Sequence, residues 1–313
     1  MNTNAMRHGK AALIALAAIG LATLACATGC SSAPERPVEI YEGRNAALGQ
    51  IDLGNRAALR GEYDSARLFL AEAWRLAVAA DSPGTRTRVL LAEGNAWFNE
   101  GNRDRANDCW KRALAEATAS ADAELTAVSR VYLARGGLAE GAPAPDMDSD
   151  ARRAAALRAR ETVRAEMPAL KGNELFAAFA YRALSLAEKE LGDARAAEVA
   201  ALEAASIHEK GRYLEDAAYD WFLLASIRSK AGNYPGAREA LRAAIGFDRR
   251  AENPNGLAAS WLALGTVEEK AGARDEAATA YRRSAEIARA AFLADAARAA
   301  EKKLAALEGG QDN

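Results

Sequence analysis

Residues 53–73 read LGNRAALRGEYDSARLFLAEA. Small residues stand at Gly54, Gly61, Ala66 and Ala73, with Leu53, Tyr63 and Leu70 set among them. Two antiparallel helices approach most closely where neither carries a long side chain, and a glycine between them lets the backbone reverse. The stretch predicts a helical hairpin that turns at Gly61.

The pattern recurs. Gly101 lies forty residues after Gly61, and Gly192, Gly232 and Gly272 follow one another at forty and forty. A fixed period of this size marks a repeat array. Five residues after these glycines stand Ala66, Ala106, Ala197, Ala237 and Ala277; seven before them stand Gly54, Gly94, Ser185, Ala225 and Gly265. Twelve after them come Ala73, Ala113, Ala204, Ala244 and Ser284. Leu90, Trp97 and Trp110, then Trp221, Leu224 and Leu241, then Trp261, Leu264 and Tyr281 fill the space beside these columns. At helical spacing these large residues read as core.

These columns resemble the tetratricopeptide repeat, whose motif places a small residue at position 8, glycine near 15 and alanine at 20 and 27. The resemblance covers residues 43–308 and implies an all-α, right-handed α-solenoid of about six helical hairpins. The amphipathic stretch from Leu293 to Leu307 is expected to cap the open end as a C-terminal helix. The forty-residue period exceeds the family's usual thirty-four, which implies longer helices or longer turns.

A third unit is degenerate. Leu125, Val128, Ser129, Tyr132 and Gly136 mark its first helix, residues 141–149 interrupt it, and its second helix is expected from near Asp150 to Pro168. Pro34 and Pro37 precede the array, Pro83 and Pro254 fall between repeats, and Pro235 falls in a first turn, where its missing N–H costs little. No proline is expected inside a helix.

Ahead of the array, Arg7 and Lys10 precede an uncharged run from Ala11 to Ala27. This reads as an export signal over residues 1–29. Ala27-Thr28-Gly29-Cys30-Ser31-Ser32 resembles the lipobox of bacterial lipoproteins, which implies lipidation at Cys30 and membrane attachment through its acyl chains. Cys26 is the competing cysteine, and ordinary signal cleavage and an uncleaved anchor are the alternatives to lipidation, since the run is about the length needed to span a membrane. Residues 30–42 would form a flexible tether and residues 309–313 a disordered tail. Ser31 after the cysteine resembles the signal for outer-membrane residence, on the periplasmic face of a Gram-negative envelope.

Half of the 313 residues are apolar and 6% are aromatic, with alanine dominant. Alanine loses no side-chain entropy in a helix, so the mixture suits close-packed helices. Without residues 1–29 the chain keeps 39 basic and 43 acidic side chains, a net charge near −4 that gives no footing for nucleic acid.

Chemistry is sparse. His8 and His208 are the only histidines, so no pair of them can bind metal or relay protons, and His208 reads as a surface residue. Cys109 reads as a passive, half-buried thiol. Asp146, Asp148 and Asp150 alternate as at the start of a calcium loop, but Ala151 and Leu157 stand where glycine and glutamate are required. That segment reads as a linker whose last aspartate caps a helix. No cofactor and no enzymatic activity are expected.

The first helices of successive hairpins line the concave face of such a stack, and their unpacked face presents a groove. Its expected binding residues are Asn55, Arg88, Asn95, Phe98, Arg130, Phe179, Arg182, Tyr219, Phe222 and Ser226, with Phe98, Arg130, Arg182 and Phe222 converging at its centre. Asn55 and Asn95 resemble the asparagine of the family's carboxylate clamp, but Ile51 and Leu91 occupy the place of its lysine. These readings combine into an envelope scaffold that binds a peptide or helix of another envelope protein. The alternative is a transport accessory enclosing a small apolar ligand.

Overall fold

The computed structural model describes residues 39–138 and 148–309. Residues 1–29, Cys30 with most of the tether, Asp146 and the last four residues lie outside the described residues. Among the described residues there are thirteen helices and no strand.

They form six antiparallel hairpins and one closing helix: α1 (Glu42–Leu59) with α2 (Tyr63–Ala79), α3 (Pro83–Asn99) with α4 (Arg103–Ala119), α5 (Ala123–Gly136) with α6 (Ser149–Leu170), α7 (Glu174–Leu191) with α8 (Ala194–Gly211), α9 (Leu214–Lys230) with α10 (Tyr234–Arg250), and α11 (Pro254–Lys270) with α12 (Arg274–Ala290). The last helix, α13 (Ala294–Gly309), packs on α12. Every extensive helix contact joins neighbours or next neighbours along the chain.

The forty-residue period is two helices of mostly 17 residues joined by short turns, so the helices lengthen and the turns do not. Each turn within the five regular hairpins uses its glycine at positive φ: Gly61 at 80°, Gly101 at 94°, Gly192 at 85°, Gly232 at 78° and Gly272 at 80°. Five of the six turns that follow a hairpin adopt the same left-handed conformation, at Asp81, Ala121, Arg212, Glu252 and Phe292, where a side chain costs more; the turn from α6 to α7 does not. Seven helices start from an Asn or Asp whose side chain accepts the N–H three residues on: Asn102, Asp122, Asp148, Asn173, Asp193, Asn233 and Asn253. This satisfies amides that helix geometry leaves without a partner. The aspartate that caps α6 is Asp148, two residues before Asp150, because its Oδ1 accepts from Ala151 N at 2.7 Å. Pro168 lies inside the last turn of α6, which runs on to Leu170.

The small-residue columns are where the helices touch. Ala66, Ala106, Ala197, Ala237 and Ala277 are fully buried. Gly94 faces the Trp110 indole so closely that a Cβ there would collide with it, and a Cβ on Gly265 would fall 2.5 Å from the Tyr281 ring. A glycine in one helix thus admits an aromatic from the next. Where serine replaces the small apolar residue its hydroxyl is used: Ser185 donates to Ala197 O at 2.8 Å and Ser284 to Ala258 O at 2.7 Å. Trp110 also packs against Gly136, and Arg103 donates to the carbonyls of Gly136 and Leu138, which fixes the end of α5 before the interruption.

A candidate binding cavity

The first helices α1, α3, α5, α7 and α9 together wall a cavity of about 810 Å³. One side is apolar, with Leu48, Ile51, Leu59, Leu91, Phe176 and Phe179. The other is polar, with Arg182, His208, Asp216 and Tyr219. Asn55, Arg88 and Asn95 also line it, so six of the ten residues read from the sequence line one space: Asn55, Arg88, Asn95, Phe179, Arg182 and Tyr219. Ile51 and Leu91, in the clamp's lysine positions, are part of its apolar wall.

The other four do not converge there. Phe98 turns into the core against Trp110, with ring centroids 5.6 Å apart, and is sandwiched by Arg103 and Arg135. Arg130 is half-exposed and pairs with Glu166 of α6 at 2.9 Å. Phe222 packs on the core formed around α9 and α10, and the Ser226 hydroxyl accepts from Lys189 Nζ at 2.8 Å. Of the four residues expected at the centre only Arg182 reaches the cavity.

The floor is a polar–aromatic ladder. Tyr132 stacks on Phe179 at 3.8 Å between centroids and tilts against Trp110 at 5.7 Å. The Asn95 side chain donates to Tyr132 Oη at 3.2 Å and accepts from Arg135 Nη1 at 3.1 Å. Arg135 is buried between the Phe98 and Phe179 rings, where the guanidinium meets the negative faces of both π-systems. Arg88 lies over the Phe176 ring at 4.8 Å and 3.6 Å from Glu124.

At the polar end Arg182 reaches across to α9, donating from Nε to Asp220 Oδ1 at 2.6 Å and from Nη2 to Asp216 Oδ1 at 3.1 Å. Burial would lower the guanidinium's affinity for its proton, but the carboxylates of Asp220 and Asp216 outweigh it and raise the Arg182 pKa above its ordinary value. The second Asp220 oxygen lies 2.6 Å from His208 Nδ1. With its proton on Nδ1 the imidazole donates to this oxygen, and the 3.5 Å approach of Arg182 Nη2 to the same nitrogen is then a packing contact.

His208 is therefore buried and not on the surface. Its place recurs forty residues on as Asp248, and that of Asp220 recurs as Ser260. Asp248 accepts from Asn253 Nδ2 at 2.8 Å and from Ser260 Oγ at 3.5 Å, while burial pushes its carboxyl up to about 7. These polar pairs link the second helix of one hairpin to the first helix of the next. A single sequence signal could have exposed them, namely polar residues repeated at the array's own period in places flanked by core. Cys109 is buried, and burial raises its thiol to about 12, so it is held as an unreactive thiol. Among the described residues no His, Cys, Asp and Glu cluster could hold a metal ion.

No protein-family model matches the chain, and no curated protein sequence does. Solved structures do. The Rap protein complexed with Competence and Sporulation Factor superposes with a TM-score of 0.54 at 16% identity, over 86% of this chain and 76% of that one. BtubC (BKLC) from P. vanneervenii gives 0.52 at 19% identity, over 79% of this chain and 92% of that one. Cut9 with Hcn1, from the APC/C hetero-tetramer, gives 0.53 at 14% identity, over 85% of this chain but 43% of that one. At such identities the likeness is one of fold, and by fold this chain is a tetratricopeptide-repeat solenoid.

Proposed function

We propose that this chain is a lipid-anchored scaffold of the bacterial cell envelope that holds a segment of a partner protein in its concave cavity. The observation that carries the reading is the cavity itself, whose volume of about 810 Å³ combines an apolar wall with the guanidinium groups of Arg88, Arg135 and Arg182. Sites for specific ligands are concave and mostly apolar, with a few placed polar groups. Aromatic and arginine side chains are also the types that dominate binding energy at protein interfaces. Rap, similar in fold, was solved complexed with Competence and Sporulation Factor. The envelope setting rests on the export signal and on Cys30 in residues 1–30, and no helix among the described residues is long and apolar enough to cross a membrane.

The second reading, a transport accessory for a small apolar ligand, is favoured by one feature. Arg60 bridges from the first hairpin to Glu215 and Ala251, both of which line the cavity, and closes part of its rim. Native mass spectrometry of the full chain from its own membrane separates the two. A co-purifying protein and no small-molecule adduct supports the scaffold, whereas a retained small molecule of fixed mass supports the accessory. An apo chain with neither overturns both.

A further inference from the structure

We propose that Arg60 is a clasp that closes the helical array on itself across the cavity, and that the array opens by releasing it. Arg60 follows α1, in the turn to α2. Its Nη2 donates to Glu215 Oε1 at 3.3 Å and to the carbonyl of Ala251 at 3.2 Å, 155 and 191 residues away. Glu215 lies in the first turn of α9 and Ala251 in the turn between α10 and α11. Gly61 in the same turn lies against Asn255 of α11. The first hairpin therefore reaches the fifth and the start of the sixth.

Three observations mark this contact as a latch and not as part of the permanent core. Among the described residues extensive helix packing joins elements adjacent or next but one along the chain, so the turn carrying Arg60 and Gly61 closes a long loop of structure without extensive helix packing across it. The ion pair is partly open to water, with Arg60 36% and Glu215 15% exposed in their side chains, so it is weak and screened by salt. In the closed form Arg60 Nε is buried without a hydrogen-bond partner, a cost that opening relieves. Repeat arrays flex by small rotations summed over their hairpins, so removing one end-to-end contact is enough to change the width of the concave face. Both acceptors of Arg60 are wall residues of the cavity, so the same bonds that close the ring narrow its mouth.

The test reads the ring directly and needs no ligand, so its outcome is independent of what the cavity holds. Glu62 and Glu252, both exposed and flanking the clasp, are each replaced by p-acetylphenylalanine in the full chain and coupled to a ketone-reactive nitroxide. Double electron–electron resonance then measures their separation. One short, narrow distribution is expected at low salt, moving to longer and broader separations in Arg60→Ala and in the otherwise unaltered chain at 1 M NaCl. Arg60→Glu should open the ring, and Arg60→Glu combined with Glu215→Arg should restore the short distribution, with helical circular dichroism unchanged throughout. A distribution in Arg60→Ala and at high salt identical to that of the closed chain overturns the proposal.

Discussion

Arg238 and Glu268 pair across two hairpins in the place where, one repeat earlier, Glu198 and Arg228 pair with their charges exchanged. Arg238 donates from Nε to Glu268 Oε1 at 2.6 Å, and Arg228 from Nε to Glu198 Oε1 at 2.7 Å. Glu268 is 5% exposed, so its carboxylate depends on Arg238. Arg238→Leu, an innocent surface change on the helical wheel, should cost about 1–3 kcal/mol by stranding that carboxylate. Because the neighbouring site carries the opposite polarity, Arg238→Glu with Glu268→Arg should recover most of the loss. Chemical denaturation of the single and double variants measures the coupling, and a double variant no better than its parents contradicts the equivalence of the two sites.

Ala237, one residue earlier, is fully buried against the neighbouring helix. Ala237→Leu inserts methylenes where there is no room and should destabilise by about 1–3 kcal/mol. Glu239 is exposed, and Glu239→Ala is the matched control, expected within about 0.5 kcal/mol of the original chain. Equal melting of Ala237→Leu and the control would mean that the helices meet elsewhere.

Asp248 gives the fold a pH dependence. Burial raises its carboxyl to about 7, while in the unfolded chain it titrates near an ordinary ~3.9. Between those values the folded state keeps the proton and the unfolded state does not. Stability should therefore fall as pH rises from about 4 to about 7 and level off above, with a slope approaching ~1.4 kcal/mol per pH unit from this group. Asp248→Asn keeps an acceptor for Asn253 and should flatten that segment of the curve. Urea denaturation at pH 5 and pH 8 checks it; an unchanged slope in the variant removes Asp248 as the cause.

The repeat was legible because its signal is local: a glycine at each turn and small residues at fixed offsets need no knowledge of the partner helix. All five regular glycines take the left-handed conformation. The cavity was legible in part, since the helical wheel separates packed from unpacked faces and so found Asn55, Asn95, Phe179 and Tyr219. The wheel treats each helix alone, however, and the roll of α3 and α9 in the stack turns Phe98 and Phe222 to the core. His208 was misjudged for the related reason that its partner Asp220 belongs to the next hairpin. Arg60 carried no local signal at all, because what it contacts is 155 residues away.

Cys30→Ala should abolish incorporation of a labelled fatty acid, removing acyl chains of which each buried CH₂ contributes ~0.8 kcal/mol to membrane attachment. Labelling that persists in Cys30→Ala, or that moves with Cys26, would place the anchor elsewhere.

The central claim, that the cavity is where the partner sits, is tested most directly by photo-crosslinking in intact cells from two positions. Leu175 lines the cavity and is exposed enough to carry p-benzoylphenylalanine, while Leu68 is exposed on α2 outside it. Substitution at Leu175 should give a discrete adduct and substitution at Leu68 none. Arg88→Ala should weaken that adduct several-fold without loss of helicity, as removing ~1 kcal/mol of binding does. An adduct formed from Leu68 and not from Leu175, or one from Leu175 that Arg88→Ala leaves at full yield, contradicts the cavity as the binding site.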